Sequence, residues 1–238
     1  MSFGQNLQFL RKMSNRMTQE ELAEKLGVSR QTVSKWELDQ VYPEMSKLIE
    51  ICELFSCSMD QLVREDMNIS DEAYSDIRFE EVPAFRYVRY AVISMEPEED
   101  AIQHVRRWAD TLGISEPQII GWDFPILSQE QINVFNMHGY AAALILPEEL
   151  SEDLTKNLIE GGRSAEIIYQ EKQKYIAITI CSCKEEPFRV IPNAYKVLMT
   201  HMQVNGICHK SDKRIIGCFE KEYQVDGMDY MDIYIAVE

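Results

Sequence analysis

The 238-residue chain is short of positive charge, with 24 Lys and Arg against 40 Asp and Glu, a net charge of −16. Taken in bulk, that charge repels phosphate backbones and argues against a nucleic-acid partner. No apolar run approaches the ~18 residues that a membrane span needs. Residues 1–14 hold no apolar signal core, so the expectation is a cytoplasmic protein with no membrane partner. The four histidines stand at no zinc-ligand spacing, and the six cysteines include no Cys-x2-Cys pair. Buried reduced thiols are therefore expected in place of a metal centre or a disulfide framework, and no cofactor is implied. A Gly-x-Ser-x-Gly elbow, a phosphate-binding glycine loop and a Ser-His-Asp arrangement are all missing, which removes the common hydrolase and nucleotide signatures.

What is present divides the chain. Apolar residues recur at helical spacing in Phe3, Leu7 and Leu10, in Leu22, Ala23 and Leu26, in Val33 and Trp36, and in Leu48, Ile51, Cys52 and Phe55. Residues 1–65 therefore read as short helices only. Residues 66–83 are acidic, poor in large apolar side chains and end near Pro83, the pattern of a linker with at most a short helix.

From Phe85 onward the pattern alternates. Residues 85–95 form an aromatic and β-branched strand, and a helix follows with Pro97 at its start, acids in its first turn and Gly113 after its end. Two further extended runs, 117–127 and 138–150, complete a strand-helix-strand-strand unit. The second half repeats that order. Residues 165–183 read as a strand, folded as a hairpin turning near Lys172, and residues 187–206 as a helix ending at Asn205-Gly206. Pro192 interrupts the pattern near the start of that helix. Two closing strands meet at an Asp226-Gly227 turn. The expected architecture is α+β with two related halves, a reading that rests on element order alone.

The strongest local signal is Met17–Glu37. Thr18 and Glu21 form a capping box, Gly27 permits a sharp turn, Val28 fills the space between two helices and Ser29 caps the second. The outward face of that second helix carries Arg30, Gln31, Ser34 and Lys35, side chains suited to guanine and adenine edges. The motif Thr-Gln-x-x-Leu-Ala-x-x-Leu-Gly-Val-Ser resembles the Cro/lambda-repressor-type helix-turn-helix of the XRE family, and the resemblance runs over residues 5–65 as five helices. It implies that Gln19 meets a DNA phosphate through its helix N-terminus and that Arg30, Gln31 and Lys35 read bases, flanked by Thr32 and Ser34. It also places Arg11, Lys12 and Arg16 near the DNA backbone.

Residues 84–238 are similar to GyrI-like effector-binding domains, also found in multidrug-sensing regulators. The residues that carry this are Gly121-Trp122-Asp123-Phe124-Pro125, Gly139-Tyr140-Ala141-Ala142 and the closing strands from Cys218 to Ile235. The resemblance implies duplicated strand-helix-strand-strand units with a small-molecule groove, for ligands that are often lipophilic or cationic. By the period-two rule Glu220 and Glu222 share a strand face with Ile216 and Cys218, and either could be the pocket acid. Trp122, Phe124, Tyr140, Phe188, Tyr195, Tyr223 and Tyr234 are the candidate aromatic partners.

Together these resemblances imply a multidomain protein: a DNA-binding domain at 1–65, an acidic linker at 66–83 and an effector-binding domain at 84–238. The expected role is a transcription regulator, not an enzyme, acting as a homodimer on a double-stranded operator and answering a small-molecule effector. The competing readings are a GyrI-like small-molecule hydrolase and a ligand-sequestering protein with an accessory helix-turn-helix. The charge divides accordingly. Residues 1–65 carry 8 basic and 10 acidic side chains, and residues 66–238 carry 16 and 30. The reader is near neutral, and the acidity belongs to the other part.

Overall fold

The computed structural model describes residues 2–67, 74–75, 77–124, 127–160, 163–181, 183, 186–212 and 214–238. Its contacts divide the chain into two compact units. The first comprises Met1–Ser75, Cys183–Cys208 and Glu238, and the second Asp76–Ser182 with His209–Val237.

The first unit begins with five helices, as the periodicity predicts: α1 (Phe3–Met13), α2 (Gln19–Leu26), α3 (Arg30–Glu37), α4 (Met45–Leu54) and α5 (Met59–Val63). Three of them open on reciprocal capping boxes, Ser2 with Gln5, Thr18 with Glu21 and Ser58 with Gln61. Each box satisfies orphan N–H groups at both ends of the first turn. α2 stops at Gly27, whose φ of +63° is the left-handed conformation that only glycine adopts without strain. Leu7, Leu10, Leu22, Val33, Ile51, Phe55 and Leu62 are fully buried in one cluster, with Ala23 and Trp36 beside them and Val28 packed against its edge.

The unit also contains α9 (Pro187–Val204), which runs through Pro192 without a break. Its last turn is tied to the helical domain. Val204 packs on the same apolar cluster, Asn205 Nδ2 donates to the Met13 carbonyl at 2.9 Å, and Gln203 Nε2 donates to the Ser56 carbonyl.

The second unit is built on an eight-stranded antiparallel sheet ordered β1-β8-β10-β9-β3-β4-β2-β7. Its strands are β1 (Arg78–Val82), β2 (Phe85–Ser94), β3 (Gln118–Asp123), β4 (His138–Leu146), β7 (Ile167–Gln170), β8 (Gln173–Cys181), β9 (Cys218–Val225) and β10 (Met228–Ala236). Between them lie α6 (Pro97–Thr111) and the short α7 (Gln129–Asn133) and α8 (Glu152–Thr155), with a separate ribbon of β5 (Ile159–Glu160) and β6 (Arg163–Ser164).

Along the chain, β2-α6-β3-β4 is repeated as β8-α9-β9-β10, the duplicated order read from the sequence. In the sheet the halves mirror each other, β2-β4-β3 meeting β8-β10-β9 where Gly121 of β3 pairs with Glu220 of β9. Asp226 and Gly227 both have positive φ, and they join β9 to β10 as expected of a type I′ hairpin. α6 buries Ala101, Val105, Trp108 and Ala109 against Val88, Tyr140, Ala142 and Leu144.

Two local expectations change. Residues 165–183 do not form a hairpin, because β7 pairs with β2 while β8 pairs with β1 and β10. Only Glu171 and Lys172 separate β7 at one end of the sheet from β8 next to the other, so the sheet must curl. Gln170 Nε2 bonds the Tyr175 hydroxyl across that link at 3.3 Å. Residues 78–82, read as linker, instead form edge strand β1. The possible short helix in the linker falls largely on residues 68–73, outside the described residues.

Candidate functional sites

The first site is the exposed face of α3. Ser29 Oγ accepts from the Thr32 N–H at 3.1 Å and lies 2.8 Å from the Thr32 hydroxyl, which fixes the first turn of the helix. Val33 and Trp36 anchor its inner face, leaving Arg30, Gln31 and Lys35 exposed and Thr32 and Ser34 half-buried. Two long cationic side chains and an amide therefore project from one rigid surface. Lys12 and Arg16 are also exposed, and Arg16 has a positive φ of 57° in the turn after α1.

Arg11 is placed differently. The sequence puts it beside the DNA backbone, but in the fold it is only 8% exposed. Its Nε and Nη2 donate to the two Glu37 carboxylate oxygens at 2.6 and 3.0 Å, and its Nη1 donates to the Met17 carbonyl at 2.6 Å. Gln19 Nε2 donates to the same carboxylate at 2.8 Å. Arg11 thus spends its hydrogen bonds inside, tying α1 and the start of α2 to the last residue of α3. Sequence reading missed Glu37 and Asn6, since a lone acid at a helix end and an Asn within a helix carry no pattern.

The second site is a cavity of about 490 Å³ on the α6 side of the sheet, lined by Ile102, Arg106, Asp110, Tyr140, Glu220 and Glu222 among others. Register builds it. Asp123 pairs with Tyr140 and Gly121 with both Ala142 and Glu220, so Asp123, Gly121, Tyr140, Glu220 and Glu222 share one face. Gly121 is required for close approach: a Cβ there would lie 2.1 Å from the Tyr140 hydroxyl. Tyr140 itself is 5% exposed.

The electrostatics are one-sided. Burial raises the Tyr140 pKa, and the charges of Glu220, Glu98, Asp123 and Glu222 raise it further, so the hydroxyl stays protonated. Desolvation raises Glu98 above the ordinary carboxylate value, helped by Glu222, Asp123 and Glu99. Asp123 is raised by desolvation, with His138 opposing. Such a site favours a cation and disfavours an anion.

The predicted aromatic set does not converge here. Tyr140 lines the cavity, but Trp122, Tyr223 and Tyr234 lie on the opposite face of the sheet. Tyr234 stacks on Phe219 with centroids 4.5 Å apart, and its hydroxyl lies 3.3 Å from a Glu80 oxygen. Asp232, on the same face as Glu80, is ion-paired to Arg78 at 3.1 Å and receives the Tyr223 hydroxyl at 3.4 Å. Phe124 packs against Gly139 of β4. Phe188 and Tyr195 lie on α9, which belongs to the other unit, and Phe188 is 96% exposed. Glu98 and Asp123 do not line the cavity, but their charges act on Tyr140, and sequence reading did not single them out for that. Glu98 reads on sequence as an ordinary first-turn acid of a helix, and Asp123 stands in a quoted motif without marking its neighbours.

Among the described residues no group of three or more His, Cys, Asp or Glu side chains is placed to hold a metal ion, and no helix is long and apolar enough to cross a membrane.

Capped α2, the glycine turn and an α3 with its polar face outward define a helix-turn-helix. Residues 7–62 match the protein family described as Helix-turn-helix, and they are an XRE-type domain of that kind. The HTH-type transcriptional activator BcrR of Enterococcus faecalis is 48% identical over 63 residues, 26% of this chain and 30% of that protein. The uncharacterized HTH-type transcriptional regulator YqaE of Bacillus subtilis (strain 168) is 34% identical over 74 residues, 30% of this chain and 63% of that protein. This chain thus spans less than two thirds of either relative. The solved EcmrR C-terminal domain is 12% identical over 68% of this chain and 97% of that one, with a TM-score of 0.45. A likeness that distant says nothing about function.

Proposed function

We propose that the chain is a sequence-specific DNA-binding transcription regulator that acts as a homodimer on a two-part operator and answers a small cationic or lipophilic effector. The observation that carries the DNA reading is the α3 surface: Arg30, Gln31 and Lys35 project from a helix whose inner face is fixed by Val33 and Trp36. Arg and Gln at the start of such a helix match guanine and adenine edges in the major groove. Lys12 and Arg16 then contact phosphates, as does the N-terminus of α2 at Gln19. Arg11 acts through Glu37 as a positioning residue. One such helix spans few base pairs, and two copies on adjacent half-sites supply the affinity.

The effector is assigned to the Tyr140 cavity, with Glu220 and Glu222 as its acids. The similarity of residues 84–238 to GyrI-like domains supports this assignment, as does the excess of carboxylates around Tyr140. Effector and operator are coupled if filling the cavity changes operator affinity, typically by about 5–150-fold. The test is a random-site selection followed by operator titration with and without saturating tetraphenylphosphonium, a probe cation. Arg30→Ala should relax sequence preference, whereas Lys12→Ala should weaken all sites evenly and reduce the salt dependence. Even loss with both variants would reject the role assignment, and identical affinities with and without every bound cation would reject the sensing role.

A further inference from the structure

The last turn of α9 makes a contact that bears on DNA binding, and this step rests on the reading of Arg16 as a phosphate contact. Met13 ends α1, so its carbonyl lies among those that the helix itself leaves without a partner. Asn205, the C-cap of α9, supplies one. Its Nδ2 donates one N–H to the Met13 carbonyl at 2.9 Å and the other to the His201 carbonyl of its own helix at 2.8 Å. Both N–H groups are thus committed, and the amide ties the end of α9 to the end of α1.

The segment after Met13 is strained. Asn15 and Arg16 are consecutive non-glycine residues with positive φ, 49° and 57°. Such backbone is costly for an arginine and persists only where its surroundings hold it. Two side chains from outside the turn anchor it. Arg11 Nη1 donates to the Met17 carbonyl at 2.6 Å on one side, and Asn205 holds the Met13 carbonyl on the other. Arg11 is itself fixed by Glu37, whereas Asn205 comes from a helix that stands between β8 and β9 in the chain. Asn205 serves stability imperfectly, because its Oδ1 is buried with no hydrogen-bond partner among the described residues.

We propose that Asn205 is a positioning residue for DNA binding: its bond to the Met13 carbonyl keeps the Asn15-Arg16 turn left-handed and Arg16 preorganised for a phosphate. Without that bond the turn relaxes, and binding must order Arg16 afresh. A shift of α9 within the C-terminal half of the chain therefore has a direct path to a DNA contact.

The experiment is titration of the full chain with a DNA site taken from a random-site selection, repeated between about 50 and 200 mM salt. Asn205→Leu removes the clamp and the unpaired oxygen together. Affinity should fall about three- to tenfold per protomer at all sites alike, and the slope of log affinity against log salt should fall by about 0.9 per protomer, one phosphate contact. Arg16→Ala should do the same, and the double variant should lose no more than Arg16→Ala alone. Gln203→Ala removes the neighbouring bond from the same turn to the Ser56 carbonyl and should leave the slope as it was. Each variant is first shown to melt cooperatively. A full slope in Asn205→Leu, or losses that add in the double variant, overturns the proposal. Unchanged affinity in Arg16→Ala overturns it too, while site selection by the unaltered chain keeps the DNA reading standing. A chain that selects no sequence at all overturns both.

Discussion

Arg11 and Glu37 form a buried, two-pronged ion pair, 2.6 Å at its shorter contact, that joins the first helix to the end of the helix carrying the base-reading candidates. Removing one partner leaves the other charged and desolvated. Glu37→Ala or Arg11→Ala should each destabilise the helical domain by about 3–5 kcal/mol. The double change Arg11→Met with Glu37→Leu should cost less than either single change. Denaturant unfolding of the full chain, followed by the Trp36 signal, would show it. Additive losses would mean that the pair is not acting as a unit.

Asn6 is fully buried and serves as a clamp for the end of α5. Its amide donates to the carbonyls of Gln61, Leu62 and Glu65 at 3.3, 3.0 and 2.7 Å, and its oxygen accepts from the Met67 N–H at 3.0 Å. Asn6→Leu keeps the volume but strands those backbone groups. The expected loss is about 2–4 kcal/mol, with faster amide exchange over residues 59–67. Unchanged exchange there would show that the loop is held by other contacts.

Gly121→Ala is a probe of the cavity. The new methyl would sit 2.1 Å from the Tyr140 hydroxyl, which cannot retreat without leaving Gly121 and the neighbouring acids. Cation affinity should fall at least tenfold while the helical domain's own unfolding transition stays in place. Retained affinity would mean that Tyr140 does not contact the ligand.

The raised carboxyls make the second unit respond to acid in an uncommon direction. Folded Glu98 and Asp123 hold protons more tightly than their unfolded values of 4.5 and 3.8. Their protonation therefore adds stability, fully present below those values and lost as pH rises through the folded pKa values. A bound cation reverses this by favouring the charged forms, so ligand affinity should fall on acidification through the same range. Thermal melts and titrations across about pH 4–7 test both signs. Glu98→Gln with Asp123→Asn should flatten the two profiles together, and an unaltered slope would assign the effect to other acids.

The sequence by itself determined the features that depend on near neighbours. The Thr18–Glu21 box, the turn at Gly27 and the Val33–Trp36 spacing involve residues within a few positions of each other, and the chain chemistry there has one good solution. The same holds for the Asp226-Gly227 hairpin and for the order of strands and helices after Phe85. Tertiary structure alone decided what depends on distant pairing. Residues 78–82 look like linker until β8 supplies a partner for them. Residues 165–183 look like a hairpin until β2 claims the first strand and β10 the second.

Side-chain placement followed the same division. Trp122 and Gly121 differ by one position, and the sheet register sends the large ring to one face and leaves the gap that Tyr140 fills on the other. Arg11 looks like a phosphate contact until Glu37, a distant residue in the chain, draws it inward. The net charge of −16, which in bulk spoke against DNA, proved to be a property of position. The near-neutral helical domain presents two of its cations, Arg30 and Lys35, on α3, and the charges of four acids from β3, β9 and α6 act on one tyrosine of β4. Composition gives the number of charges, but only long-range packing decides which of them share a field.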